Sequence, residues 1–127
     1  MRKTLLLALA ALTMSTTFSV AENAPTKTGD SSKGKVLTDE KGMMLYVFDK
    51  DSNGKSACNG SCTGNWPPLK ATTTSSATDG YTAITREGGS KQWAYKGRPL
   101  YTWHNDKTPG DTTGDGLLNG AWHIAQP

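Results

Sequence analysis

Lys41-Gly42-Met43-Met44-Leu45-Tyr46-Val47-Phe48-Asp49-Lys50-Asp51 and Lys96-Gly97-Arg98-Pro99-Leu100-Tyr101-Thr102-Trp103-His104-Asn105-Asp106 are two versions of one stretch. Lys, Gly, Leu, Tyr, an aromatic residue and Asp recur in register at a constant offset of 55 residues. Each version continues through a polar loop to a tryptophan, Trp66 in the first and Trp122 in the second, the second loop being one residue longer. A shared offset across so many positions is the mark of an internal repeat. Within each version the apolar residues alternate: Leu45 and Val47 share one strand face with Asp49 and Asp51, and Tyr46 and Phe48 share the other with Lys50. Period two predicts a β-strand, and Lys-Gly before each strand predicts a tight turn.

Working outward, the strand before each turn is predicted at Lys35–Thr38 in the first copy and Lys91–Tyr95 in the second. Tyr81–Arg86 reads as a further strand, joined to Lys91–Tyr95 by Glu87-Gly88-Gly89-Ser90. Helix is poorly supported, because Gly, Thr, Ser and Asn are plentiful and no later segment sustains a 3.6-residue period. The expected fold is all-β: one small domain, residues 35–127, made of two related antiparallel units at about 35–70 and 81–125. Ala71–Asp79 is the low-complexity joint between them. Residues 22–34 are polar and without periodicity, and read as a flexible leader.

The beginning of the chain reads as an export signal. Arg2 and Lys3 precede the Leu/Ala run Leu5–Leu12, and Ser19-Val20-Ala21 supplies small residues for cleavage after Ala21. The apolar run falls short of the roughly 20 residues a membrane span needs. No cysteine follows it, so no lipid anchor is expected, and no later stretch reads as transmembrane. The protein is expected to be periplasmic or secreted. Losing Arg2 and Lys3 leaves 12 of 14 basic residues against 11 acidic ones, a net charge near +1. That balance does not suit a nucleic-acid-binding face. Cys58 and Cys62, the two cysteines of an exported chain, are expected to form a disulfide. Closing so small a loop stabilises by only about 2 kcal/mol on chain-entropy grounds.

Tyr46-x-Phe48-x-x-Asp51 and Tyr101-x-Trp103-x-x-Asp106 resemble the paired Tyr-x-(Phe/Trp/Tyr)-x-x-Asp motif of a family of bacterial secreted repeat proteins, many of them lipoproteins. Cys58-x-x-x-Cys62 followed by Trp66-Pro67-Pro68, and Pro109-Gly110-Asp111 in the second copy, are similar to that family too. The resemblance runs over roughly residues 35–125. It implies architecture and an exported location, and it brings no activity, since the family's function is uncharacterised.

Candidate chemistry is sparse. Tyr46, Phe48, Asp51, Tyr101, Trp103 and Asp106 are the candidate binding residues, for a protein, glycan or small-molecule ligand. The competing reading of the same motif is structural: core tyrosines, with Asp51 and Asp106 accepting backbone N–H groups where the strands end. Asp49-x-Asp51-x-Asn53-Gly54 resembles the opening of a calcium loop, although Gly60 stands where the closing bidentate Glu belongs. Cys58-x-x-x-Cys62 resembles the copper pair of Sco-type chaperones, and His104 and His123 are further transition-metal candidates. No nucleophile elbow, zinc motif or phosphate-cradling loop is present. The expected role is a non-catalytic exported binding or accessory protein without a cofactor. The alternative is a metal-handling protein for copper or calcium, built on the acidic loop, the two histidines or the cysteines.

Overall fold

The computed structural model describes residues 24–72 and 78–127; the export signal and most of the Ala71–Asp79 joint lie outside them. Among the described residues there are seven strands and two one-turn helices: β1 (Thr26–Ser31), β2 (Gly34–Asp39), β3 (Tyr46–Phe48), α1 (Cys62–Asn65), β4 (Tyr81–Thr85), β5 (Lys91–Tyr95), β6 (Arg98–Pro99), α2 (Leu117–Gly120) and β7 (Trp122–Ile124). The pairings are antiparallel, β1 with β2, β3 with β7, and β5 with both β4 and β6. The all-β expectation holds, and the two copies are visible as two hairpins, β1–β2 and β4–β5, each followed by its motif strand.

One expectation is corrected. The leader read over residues 22–34 contains β1, paired along its whole length with β2 from Thr26↔Asp39 to Ser31↔Gly34. None of its residues is buried, so it carries no apolar signal. What holds it is the backbone ladder to β2, whose Val36 and Leu37 are buried. The Thr26 hydroxyl also donates to the Tyr81 hydroxyl at 2.9 Å, joining the first strands of the two copies. The copies thus begin near Thr26 and Tyr81, one hairpin strand earlier in the first copy than its apolar pattern suggests.

The copies exchange their last segments. Ala125, at the end of the second copy, donates to Leu45 O at 2.8 Å and accepts from Leu37 N at 2.9 Å, both in the first copy. Leu69, at the end of the first, donates to Leu100 O at 2.9 Å and accepts from Trp93 N at 2.8 Å, both in the second. The motif strands meet each other at Tyr46 and Tyr101, each N–H donating to the other's carbonyl at 2.8 and 3.0 Å. This matched set of bonds describes an approximate two-fold relation passing between the two tyrosines.

Strand alternation sorts the core into two clusters, as period two requires. Tyr46, Phe48, Trp66, Tyr101 and Trp122 fill one, together with Val36, Met44, Cys58 and Ile124. Leu37, Leu45, Val47, Trp93, Leu100 and Ala125 fill the other. In the first cluster the exchanged tryptophans stack face to face, with Trp66 and Trp122 centroids 3.7 Å apart and rings within 3° of parallel. Phe48 continues the stack on Trp122 at 4.2 Å, and Trp103 continues it on Trp66 at 4.3 Å. Each motif tyrosine meets the tryptophan of its own copy at a steep, edge-on angle, Tyr46 on Trp66 and Tyr101 on Trp122. Gly114 lies against this stack, where an added Cβ would stand 2.9 Å from Trp66 and Trp103.

Candidate functional site

The motif side chains lie along the seam between the copies. The Tyr46 hydroxyl donates to Asp106 Oδ2 at 2.6 Å, and the Tyr101 hydroxyl donates to Asp51 Oδ2 at 2.7 Å. Each tyrosine therefore reaches the aspartate of the other copy. Each aspartate uses its second oxygen on its own loop, Asp51 accepting from Ala57 N at 2.7 Å and Asp106 from Thr113 N at 3.0 Å. Thr113 also donates its hydroxyl to Asp106 at 2.6 Å. Neither tyrosine is exposed, and Phe48 and Asp106 are nearly as buried, while Asp51 and Trp103 are half-buried.

Burial governs the electrostatics. Desolvation, with the Asp106 carboxylate beside it, holds the Tyr46 hydroxyl well above the usual phenol range. Tyr101 is pushed up to about 12 by the same desolvation, opposed by its bond with Ser56. Asp51 is raised from the ordinary carboxyl value because burial outweighs its bonds from Ala57 and Tyr101. The hydroxyls are thus neutral donors across physiological pH, committed to carboxylates at the centre of the molecule.

On the first-copy side the network continues to a residue that the repeat pattern does not single out. Ser56 Oγ lies 2.6 Å from the Tyr101 hydroxyl and accepts from Arg86 Nη1 at 3.0 Å. Arg86, only 7% exposed, also donates to Gln92 Oε1 at 2.6 Å, to the Cys58 carbonyl and to Asn59 Oδ1 at 3.3 Å. The signal was present in strand periodicity: Arg86 falls on the same face as the buried Ile84, two residues earlier. Cys58 and Cys62 are joined as the expected disulfide, with Cys58 in the aromatic cluster.

The metal candidates are dispersed. Asp49 bonds His123 Nε2 through Oδ2 at 2.6 Å and Arg98 through Oδ1 at 3.3 Å, whereas Asp51 points into the seam. Asn53 packs on the β5–β6 turn, so close that a Cβ at Gly97 would come within 1.7 Å of its Oδ1. His104 is exposed and rests on Trp103, ring centroids 4.6 Å apart. Both sulfurs are oxidised, which removes the thiolate pair a copper site would use. Among the described residues no three His, Cys, Asp or Glu side chains converge in a metal-holding group.

Two surface grooves flank the seam at related positions. One, of about 650 Å³, is lined by Lys33, Asp49, Lys96, Arg98, Asp115 and His123, with Ile124 among its apolar residues. Most of its charges are paired, Lys33 with Asp115 at 2.6 Å and Arg98 and His123 with Asp49, while Lys96 lies over the Tyr95 ring. The other, of about 620 Å³, is lined by Asn59, Thr63, Pro68, Lys70, Arg86 and Ser90 among others. Asn59 and Pro68 occupy in it the repeat positions that Asp115 and Ile124 hold in the first.

No helix among the described residues is long and apolar enough to cross a membrane. Neither a curated protein nor a solved structure matches the chain. A family model does, once over residues 27–70 and again over 82–126, so that both exchanged halves are accounted for, and the chain belongs to the family of secreted repeats of unknown function, Lipoprotein_15.

Proposed function

We propose that this is an exported, non-catalytic binding or accessory protein in which the paired motifs form the scaffold and any ligand is met at the surface grooves. One observation carries the reading: the motif hydroxyls and carboxylates are spent on each other across a buried seam. Tyr46 and Tyr101 have no exposed surface to offer a ligand. Membership of a secreted repeat family supports export, and we infer release by cleavage after Ala21. Mass spectrometry of the exported protein is expected to find Glu22 at the N-terminus; an intact Met1 would overturn that processing.

The scaffold role is tested by unfolding. Tyr46→Phe and Tyr101→Phe remove one hydrogen-bonding hydroxyl each, and should each lower stability by about 0.5–1.5 kcal/mol in urea or thermal unfolding. Unchanged stability in both would return the motif to candidacy as a ligand site. The metal-handling alternative has no comparable support, because Asp49, Asp51 and Asn53 each face a different partner.

A further inference from the structure

We propose that the groove over Arg86 binds a small anion, carrying a carboxylate or phosphate group, through Lys70 and Lys91. This rests on the binding reading above and names the ligand class for one of its two grooves. The argument is the difference in charge between them. In the groove at His123 the lining Lys33, Arg98 and His123 each have a carboxylate within 4.0 Å, and the fourth basic residue, Lys96, lies over the Tyr95 ring, 5.1 Å from its centroid. In the groove at Arg86 the cations Lys70 and Arg86 have none among the described residues. A smaller cavity of about 380 Å³ adjoins it, sharing Pro68, Lys70, Arg86 and Ser90 and adding Lys91. Lys91 has a neutral partner, the Thr85 hydroxyl. Three cations therefore line the two cavities, against the one carboxylate of Glu87.

Arg86 supplies the fixed part of the field. Its Nη atoms donate to four oxygens, of Ser56, Gln92, Cys58 and Asn59, and all four are neutral. Held from four directions, the guanidinium stays beneath the groove, its charge offset only in part by the Asp51 carboxylate beyond Tyr101 and Ser56. Buried charge is screened less than surface charge and attracts an anion more strongly than a solvated lysine does. Lys70, exposed, and Lys91, half-exposed, can then close on the anion as mobile donors, with the exposed Ser90 between the cavities. Pro68 and Ala71 give the same surface an apolar margin, which suits an organic anion.

The test is an NMR titration of the exported protein at low salt, with inorganic phosphate and with citrate as separate probes. Saturable shifts centred on Lys70, Ser90 and Lys91, with a dissociation constant near or below about 1 mM, are expected for at least one probe. Response to phosphate alone assigns a phosphate group to the ligand, and response to citrate alone assigns a carboxylate. Lys70→Ala and Lys91→Ala should each weaken binding about tenfold, the value of one charged hydrogen bond. Lys96→Ala, which removes a lysine from the groove at His123, should change it less than about twofold. The lysine variants are surface changes and should keep the melting temperature, which is measured alongside. No saturable shift with either probe overturns the anion site, and so does an equal loss in Lys96→Ala. Neither result bears on the scaffold role of the motifs, which the tyrosine variants read separately.

Discussion

The two Tyr–Asp locks have one backbone design and two chemistries. Asp51 and Asp106 each follow a motif strand, each accept an N–H from their own loop and each receive the other copy's tyrosine. Around Asp106 the remaining partners are local and neutral: Thr113 gives its hydroxyl, and Gly114 N donates to the Tyr46 oxygen at 3.3 Å. Around Asp51 the lock opens outward through Ser56 to Arg86, and a disulfide braces the loop at the place Gly114 takes in the other copy. The repeat thus conserves the geometry of loop closure while leaving each copy free in how it is satisfied. The self-contained lock is the more buried, and the connected lock borders the cationic groove.

The largest expected effect sharpens this contrast. A strict repeat predicts that Asp51→Ala and Asp106→Ala cost the same. Asp106→Ala leaves the fully buried Tyr46 hydroxyl without an acceptor and removes two bonds from the exposed Thr113, and should cost about 3 kcal/mol. Asp51 is half-buried, and Tyr101 keeps Ser56 as a partner, so Asp51→Ala should cost about 1.5 kcal/mol. Urea unfolding of both variants decides it. Equal losses would break the comparison, and the reverse order would place the stronger lock beside Arg86.

A smaller effect, shared by both locks, appears in alkali. Both tyrosines hold their protons more tightly in the folded protein than in the unfolded chain, where the hydroxyl titrates near 10. Their contribution is complete below pH 10 and is lost as pH rises through the folded value, about 12 for Tyr101 and higher for Tyr46. At about pH 11 each should have given up roughly 1.4 kcal/mol. Comparing unfolding near pH 9 and pH 11 measures the sum, and either Tyr→Phe variant should recover about half of the loss. A wild type equally stable at both would mean that the hydroxyls titrate freely.

Much of this architecture is readable in the chain because it is local. The repeat offset, the alternation through Leu45–Phe48 and Leu100–Trp103, and the hairpin residues before them all act between near neighbours. The motif aspartates, read as acceptors for backbone N–H groups, do accept them. What could not be read is which copy each side chain serves. A constant offset is equally compatible with two closed units and with two that exchange tails, and only the tertiary pairing of Leu69 and Ala125 with the opposite copy distinguishes them. β1 escaped because a polar edge strand owes its place to a ladder, not to burial. Asp49 looked like part of an acidic loop because its partner His123 lies 74 residues away. Arg86 has no counterpart to flag it, since the equivalent position in the first copy is a serine, Ser31.

The smallest expected effect lies at the repeat position occupied by Asp115 in one copy and Asn59 in the other. Asn59 touches the buried Arg86, whereas Asp115 carries a charge and takes Lys33 from across the seam at 2.6 Å. That bond, ahead of the one from Ile124 N, holds the Asp115 carboxyl below its ordinary value. A carboxyl lowered in this way contributes stability above its unfolded pKa of about 3.9, and the contribution disappears as pH falls through the folded value. Lys33 is nearly half exposed, so solvent screens most of the attraction and the pair should be worth no more than about 0.5 kcal/mol. Lys33→Ala should therefore lower stability by that amount at neutral pH and by nothing in acid, once Asp115 is protonated in both proteins. Added salt should shrink the neutral-pH difference further. A loss that persists in acid would show that Lys33 acts through packing, and the two grooves would then differ less in electrostatics than their charge pairing implies.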